Sequence, residues 1–344
     1  MRTQTILKTL CAAAGPSGRE EAPVAAARAL LEPLVDEVRI DALGSLIGVR
    51  RCGCSNAKKL LMDAHLDEIG LLVTDIEKGF LRFRTIGGVD SRMLLNSEVT
   101  VLTPEPLLGV IACLPPHILT ASEMEKAVPV DQLLIDVGLS DEEARRRIPV
   151  GTPVVFRGGC RALGRQLFCG KSLDDRSCFA VLLRTAELLR ERPLDIDLYF
   201  LGSVQEEISG GGAAAAVFGI DPDWIIAVDV THGATPDARS EETFPLGNGP
   251  AVGIGPNINR AMAAELQALC KEEKIPFQLE IMSGNTGTNA WGMQVAREGY
   301  ATAMVSLPLK YMHTPVEVVG REDMENTARL LAAYAASRKE GDGA

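Results

Sequence analysis

The sequence predicts an α/β fold interrupted by a small all-β insertion, and three observations carry that prediction. Short apolar runs alternate with longer amphipathic stretches early in the chain and again after residue 170. Between residues 69 and 168 that alternation gives way to short runs separated by Gly, Pro and Asn. Four of the apolar runs lead into metal-binding side chains. A run this brief, bounded by turn residues, reads as a buried strand rather than a helix. In an open α/β sheet, ligands bind in the crevice at the carboxyl ends of strands, so side chains placed there converge.

The elements follow in order. Residues 6–14 read as a helix stopped by Gly15-Pro16-Ser17-Gly18, and Ser17 or Gly18 would cap a second helix over 20–34. Residues 36–49 read as a hairpin turning at Ala42-Leu43-Gly44-Ser45, and Leu60 to Ala64 lead as a strand into His65. The runs 71–76, 80–84, 98–102 and 108–113 follow, a largely all-β pattern. It separates two α/β stretches, so the chain divides into a discontinuous α/β domain (1–68 and 169–344) and an inserted β-rich domain (69–168). After Gly170 come helix 178–190, strand 196–202, helix 212–218 and strand 224–230. Helix 260–273, strand 277–281, helix 290–298, strand 302–307 and helix 321–337 complete the chain.

Composition bounds the function. A chain of 344 residues, 46% apolar, can bury two domains. Lys and Arg total 35 against 46 Asp and Glu, a formal charge of -11, which argues against nucleic acid and anionic membranes as partners. The N-terminus leads into an amphipathic pattern rather than a signal-peptide core, and no stretch approaches the ~18 apolar residues of a membrane span. A soluble, cytoplasmic protein is expected. The eight cysteines form no disulfide framework: Cys52-Gly53-Cys54 is too tightly spaced for a zinc knuckle and the others are scattered. No histidine is marked as a thiol partner, so a cysteine hydrolase is rejected.

The candidate site is five motifs in order: His65 with Asp67, Asp174 with Asp175, Glu206 with Glu207, Asp229, and His313. Taken singly, a His or Asp after a strand is most often a turn residue, and Asp174-Asp175 would serve as an acidic helix start. Taken together, two imidazoles and several carboxylates suit two divalent ions sharing a bridging carboxylate, an arrangement that activates water for hydrolysis. Zinc, cobalt and manganese all suit such nitrogen and oxygen donors. The glycine-containing loop from Gly284 to Asn289 precedes a helix, as anion-binding loops do, but has no phosphate-loop lysine.

His65-Leu66-Asp67-Glu68-Ile69-Gly70, Leu173-Asp174-Asp175-Arg176, Val204-Gln205-Glu206-Glu207, Val228-Asp229-Val230-Thr231 and Tyr311-Met312-His313-Thr314-Pro315 resemble the co-catalytic metallo-aminopeptidases. The relevant branch is the glutamyl, or deblocking, aminopeptidases that include the tetrahedral TET particles, some of them labelled endoglucanase or cellulase. The likeness runs from Gly15-Pro16-Ser17-Gly18-Arg19-Glu20 through Gly87-Gly88-Val89-Asp90 to the last motif. It implies a mixed-sheet, three-layer, zinc-peptidase-like core with an inserted β domain that serves dimerisation, the dimers assembling into homo-oligomeric dodecamers. It implies two divalent metal ions per subunit, with zinc or cobalt foremost and manganese possible, and peptide substrates. By resemblance His65, Asp174 and Asp229 would hold one metal, and Asp174, Glu207 and His313 the other. Glu206 would be the general base, Asp67 would fix the tautomer of His65, and Asp175 would not be a ligand, although its peptide bond to Asp174 is unusual in related enzymes. Three ligand carboxylates against two dications would leave about one positive charge to lower the pKa of water and stabilise an oxyanion.

One departure is Gly287-Thr288-Asn289-Ala290, where the family usually has Asp at the third place; Asn289 keeps the shape and loses a charge. His232, three residues after Asp229, is expected near the site rather than in it. The expected activity is metal-dependent removal of N-terminal residues from peptides. Related di-metal deacylases and carboxypeptidases generally carry Asp-Met-Lys-Gly-Gly where this chain has Asp174-Asp175-Arg176-Ser177-Cys178. An endoglucanase would need two carboxyls ~5–9 Å apart across a sugar bond, which adjacent Glu206 and Glu207 do not readily supply. A binding protein that has lost catalysis is disfavoured because every expected ligand and the base are present.

Overall fold

Four parallel neighbours, Asp197–Ser203, Lys59–His65, Trp224–His232 and Ala301–Lys310, form the centre of an 11-stranded mixed sheet in the computed structural model. The structure describes residues 3–118, 120, 125–126, 128–236, 238–339 and 341. Antiparallel strands flank the centre. Leu46–Arg50 and Glu37–Ile40 extend one side, while Glu317–Gly320, Leu167–Gly170 and Arg161–Leu163 extend the other. Ala251–Ile254 branches off Ala301–Lys310 and pairs with Gln278–Ile281. Along Lys59–His65, Leu60, Met62 and Ala64 pack into one core cluster and Leu61 into another, the period-two alternation of a strand buried on both faces. The helices Thr3–Ala12, Glu21–Leu31, Leu173–Leu189 and Arg321–Ser337 contribute to the first cluster, and Gly211–Ile220 and Asn289–Met293 to the second.

A second sheet stands apart from the first. Gly70–Glu77, Phe80–Ile86, Leu134–Asp136, Leu107–Ala112, Glu98–Val101 and Pro153–Phe156 close, in that order, into a barrel around Leu71, Val73, Leu81, Val99, Ile111, Ile135 and Val154. Closure leaves no free edge to pair with another chain.

Several expectations needed correction. The boundary expected at residue 168 falls inside Leu167–Gly170, which pairs with Glu317–Gly320 in the large sheet; short strands carry no mark of which sheet they join. Neither Ser17 nor Gly18 caps the second helix, whose N-cap is Glu20 without a side-chain bond; a tertiary partner takes Ser17 instead. That helix ends at Leu31 and tightens into a 3₁₀ turn over Glu32–Leu34 beside its proline. Helix 290–298 shortens to Asn289–Met293. The helix Asp141–Arg147 is an addition, started by a full capping box between Ser140 and Glu143. Among the described residues no helix is long and apolar enough to cross a membrane.

Candidate metal centre

The parallel strands deliver the site residues to one edge. His65 is the last residue of Lys59–His65, in register with Ser203. Glu206 and Glu207 lie just past Asp197–Ser203, where Gln205 turns the chain with φ of 61°. Asp229 was expected at a strand end, but Trp224–His232 continues for three residues beyond it. His313 lies in the turn after Ala301–Lys310.

Asp67 organises one side. Its buried carboxylate accepts the backbone N–H of Glu206 and of Glu207, each at 3.1 Å, and the Ser17 hydroxyl at 2.5 Å. It also lies 3.4 Å from His65 Nδ1. One acid thus fixes the imidazole and the loop bearing both glutamates, and leaves His65 Nε2 facing Asp174 Oδ1 at 3.1 Å and Glu206 Oε2 at 3.8 Å. His313 mirrors it. Its Nδ1 lies 2.8 Å from the Gly88 carbonyl, and its Nε2 faces Asp174 Oδ2 at 3.4 Å and Glu207 Oε2 at 3.3 Å. Gly88 is required there, because a Cβ would stand 2.8 Å from His313 Nδ1.

Asp174 therefore presents one oxygen to each imidazole, the geometry of a bridging ligand. Two donors about 2.0–2.1 Å from one tetrahedral metal stand ~3.3 Å apart, close to the 3.1–3.4 Å separations found here. His313 has its outer ring nitrogen occupied by the Gly88 carbonyl, and His65 turns its outer nitrogen toward Asp67 at 3.4 Å, the orientation that metal-binding histidines take. On this geometry the residues fit divalent metals. The peptide bond between Asp174 and Asp175 is cis, and neither residue has helical backbone angles at the head of Leu173–Leu189. Asp175 accepts the His65 backbone N–H at 3.2 Å, and Asp229, His65 and Asp175 each bring a ligand atom within 4.8 Å of the others. Asp229 thus stands near His65, while Glu207 faces His313 at 3.3 Å and also brings a ligand atom within 4.8 Å of His65 and Asp174.

The electrostatics agree with a cation site. Burial pushes Glu206 up to about 7 and raises Glu207, Asp229 and Asp175 well above the carboxylate range, with neighbouring carboxylates adding to each. Asp174 contacts both imidazoles, which overcome its burial and hold it below the usual range. Asp174 in turn raises His313 to about 9. Burial works against a charged His65, yet Asp174 and Asp67 raise it well above its ordinary value. The cluster crowds more carboxyls together than its two imidazoles offset.

Of the remaining residues, Asn289 donates to Asp63 and to the Ser203 hydroxyl, both at 2.9 Å, beneath the cluster. Burial pushes Asp63 up to about 6, and an Asp at 289 would set a second acid against it. His232 is exposed on the wall of the cleft. That cleft, about 770 Å³, is lined by His65, Asp174, Glu206, Glu207, Asp229 and His313, and among the described residues lining it there is no Lys or Arg. Sequence reasoning missed Glu317, which accepts the backbone N–H of Leu173, Asp174 and His313; its spacing four residues after His313 was the available signal.

Residues 44–330 match the M42 glutamyl aminopeptidase family. The chain is 37% identical over 309 residues to the lysyl aminopeptidase of Pyrococcus furiosus, covering 88% of each. The TET aminopeptidase of a marine sediment archaeon of the Thaumarchaeota superimposes with a TM-score of 0.93 at 30% identity, over 98% of each chain. The TET1 peptidase of Pyrococcus horikoshii, which assembles into a tetrahedron or a large octahedral shell, gives 0.85 at 28% identity, over 98% of this chain and all of that one.

Proposed function

This chain belongs to the M42 glutamyl aminopeptidase family and is an aminopeptidase, and we propose that it works through a two-metal centre with Glu206 as general base. One metal would be held by His65, Asp174 and Asp229, the other by Asp174, Glu207 and His313. The observation that carries this reading is Asp174, whose two oxygens face the two imidazoles at 3.1 and 3.4 Å. Bound there, two divalent cations would supply Lewis acidity to the scissile carbonyl and lower the pKa of the attacking water.

The chain's own residues do the rest. Glu206 takes a proton from the attacking water as its oxygen bonds to the carbonyl carbon. It then delivers that proton to the amide nitrogen as the C–N bond breaks, releasing an amine. Asp67, bonded to the Glu206 backbone N–H, keeps the base beside His65. The lack of Lys or Arg among the described cleft-lining residues favours a free amine over a free carboxylate at the subsite, hence an aminopeptidase over a carboxypeptidase. Glu206 and Glu207 each face an imidazole rather than each other across an open subsite, which disfavours a glycosidase.

We further propose that the barrel is an inserted domain serving dimerisation and that dimers build a dodecamer. Exposed apolar residues on it, Leu108, Leu114, Ile118 and Val150 among them, support an interface. Zinc or cobalt is the proposed metal, and the eight free thiols suit the reducing cytoplasm. The test is hydrolysis of aminoacyl-p-nitroanilides by metal-stripped protein, with and without Co²⁺ or Zn²⁺. Release restored by metal and lost in Glu206→Gln supports the mechanism; no release from any free-amine substrate, with two metals bound per chain, contradicts it.

A further inference from the structure

We infer that Glu317 is a positioning residue for the Asp174, Glu207 and His313 half of the centre, fixing the backbone of two of its three donors. The inference rests on the ligand assignment proposed above. Glu317 is buried and opens Glu317–Gly320, which pairs with Leu167–Gly170 on one side and Leu309–Lys310 on the other. It therefore stands between the turn that leads to Asp174 and the turn that carries His313. One oxygen accepts the N–H of Leu173 at 2.7 Å and of Asp174 at 3.1 Å; the other accepts the N–H of His313 at 3.2 Å.

Two features make this bridge more than a packing contact. The amides of Leu173 and Asp174 are the first donors of Leu173–Leu189 and have no intrahelical acceptor. Ser172 before them offers no side-chain cap and Asp174 and Asp175 break the helical path, so Glu317 takes both amides from across the fold. His313 holds φ of 61°, a region that residues with a side chain rarely adopt and that persists only where the surroundings impose it. Glu317 holds its N–H and Gly88 its ring. Glu317 thus fixes the backbone on both sides of the Asp174 Oδ2 and His313 Nε2 pair while bonding to neither side chain.

Metal-stripped wild-type and Glu317→Gln proteins, titrated with Co²⁺ and followed by visible absorption and calorimetry, test this. Gln keeps one acceptor oxygen for Leu173 and Asp174 but turns an NH₂ toward the N–H of His313. The expected result is one equivalent bound as in wild type and a second weakened about ten- to hundred-fold, with the unfolding midpoint of the stripped protein unchanged. Two equivalents bound as in wild type would overturn the inference, as would parallel weakening of both together with a lowered midpoint. Should the variant not fold, hydrogen exchange of the wild-type peptide spanning 311–316 decides: a protected His313 amide supports the bridge, and exchange at the rate of a free loop amide overturns it. Wild-type protein that shows two-site binding but cleaves no peptide would refute the proposed mechanism and leave this role standing.

Discussion

Asp67 and Glu68 are consecutive, both buried, and belong to two clusters solved in opposite ways. Glu68 receives Lys171 at 2.6 Å and Arg176 at 3.3 Å, and these cations overcome its burial and hold its carboxyl below the usual range. Arg176 also donates to the carbonyls of Leu66, Leu10 and Ala13, tying the N-terminal helix to the sheet. On the other side, Glu206, Glu207, Asp229 and Asp175 gather around two imidazoles with no Lys or Arg among the described residues lining the cleft, and these four carboxyls are raised. A fold that supplies its own cations has built a strut; one that crowds acids without them has built a place for cations from outside.

The largest effect that would break this contrast is chelation. Stripping the metals is expected to abolish hydrolysis while circular dichroism shows the fold retained, because the Glu68 strut keeps its own cations; unfolding on stripping would mean that both clusters depend on metal. Arg176→Met comes next. It leaves three carbonyls and part of Glu68 unpaired, and should cost about 3–5 kcal/mol in denaturant unfolding, with the surviving folded fraction still binding two metals. Loss of metal binding without loss of stability would contradict the division.

The pH dependence should have opposite signs in the two regions. Glu206, at about 7, and His313, at about 9, lie above their unfolded values in metal-stripped protein. Their stabilisation is therefore full below ~4.3 and ~6.5 and is lost as the pH rises through about 7 and about 9. Glu68 is depressed, so its contribution is present above ~4.3 and lost as the pH falls through its folded value. Denaturant midpoints of stripped protein should fall from acid to alkaline pH, metal should flatten that limb, and Glu68→Gln should soften only the acid limb. Identical profiles with and without metal would show that the raised acids do not face a cation site. The smallest effect concerns substrate charge: with no cation among the described cleft-lining residues, an N-terminal Glu should be cleaved at least about tenfold less efficiently than Lys or Leu. Parity would place a cation at the subsite from elsewhere, such as a neighbouring subunit.

What the sequence discloses follows the same physics. The ligand motifs are legible because strand ends and imidazoles leave local marks: His65 closes an apolar run, and Glu206-Glu207 follow another. Asp229 stands one residue from the end of the expected strand 224–230, yet the parallel partner Ala301–Lys310 carries the strand on to His232. Ser17 read as a cap because serine before a helix usually is one; its actual partner, Asp67, lies 50 residues away. The capping box of Ser140 and Glu143 was visible in the letters but sat inside a β-rich stretch. Glu317 binds only backbone amides, which every residue possesses, so beyond its spacing from His313 the sequence does not name its partners.

The measurement that tests the central claim most directly is anomalous diffraction at the cobalt edge from crystals of stripped protein soaked in Co²⁺. The account predicts two peaks about 3.5–4 Å apart, one on each side of Asp174, and none beside Glu68. A single peak, or two peaks that avoid Asp174, would contradict it.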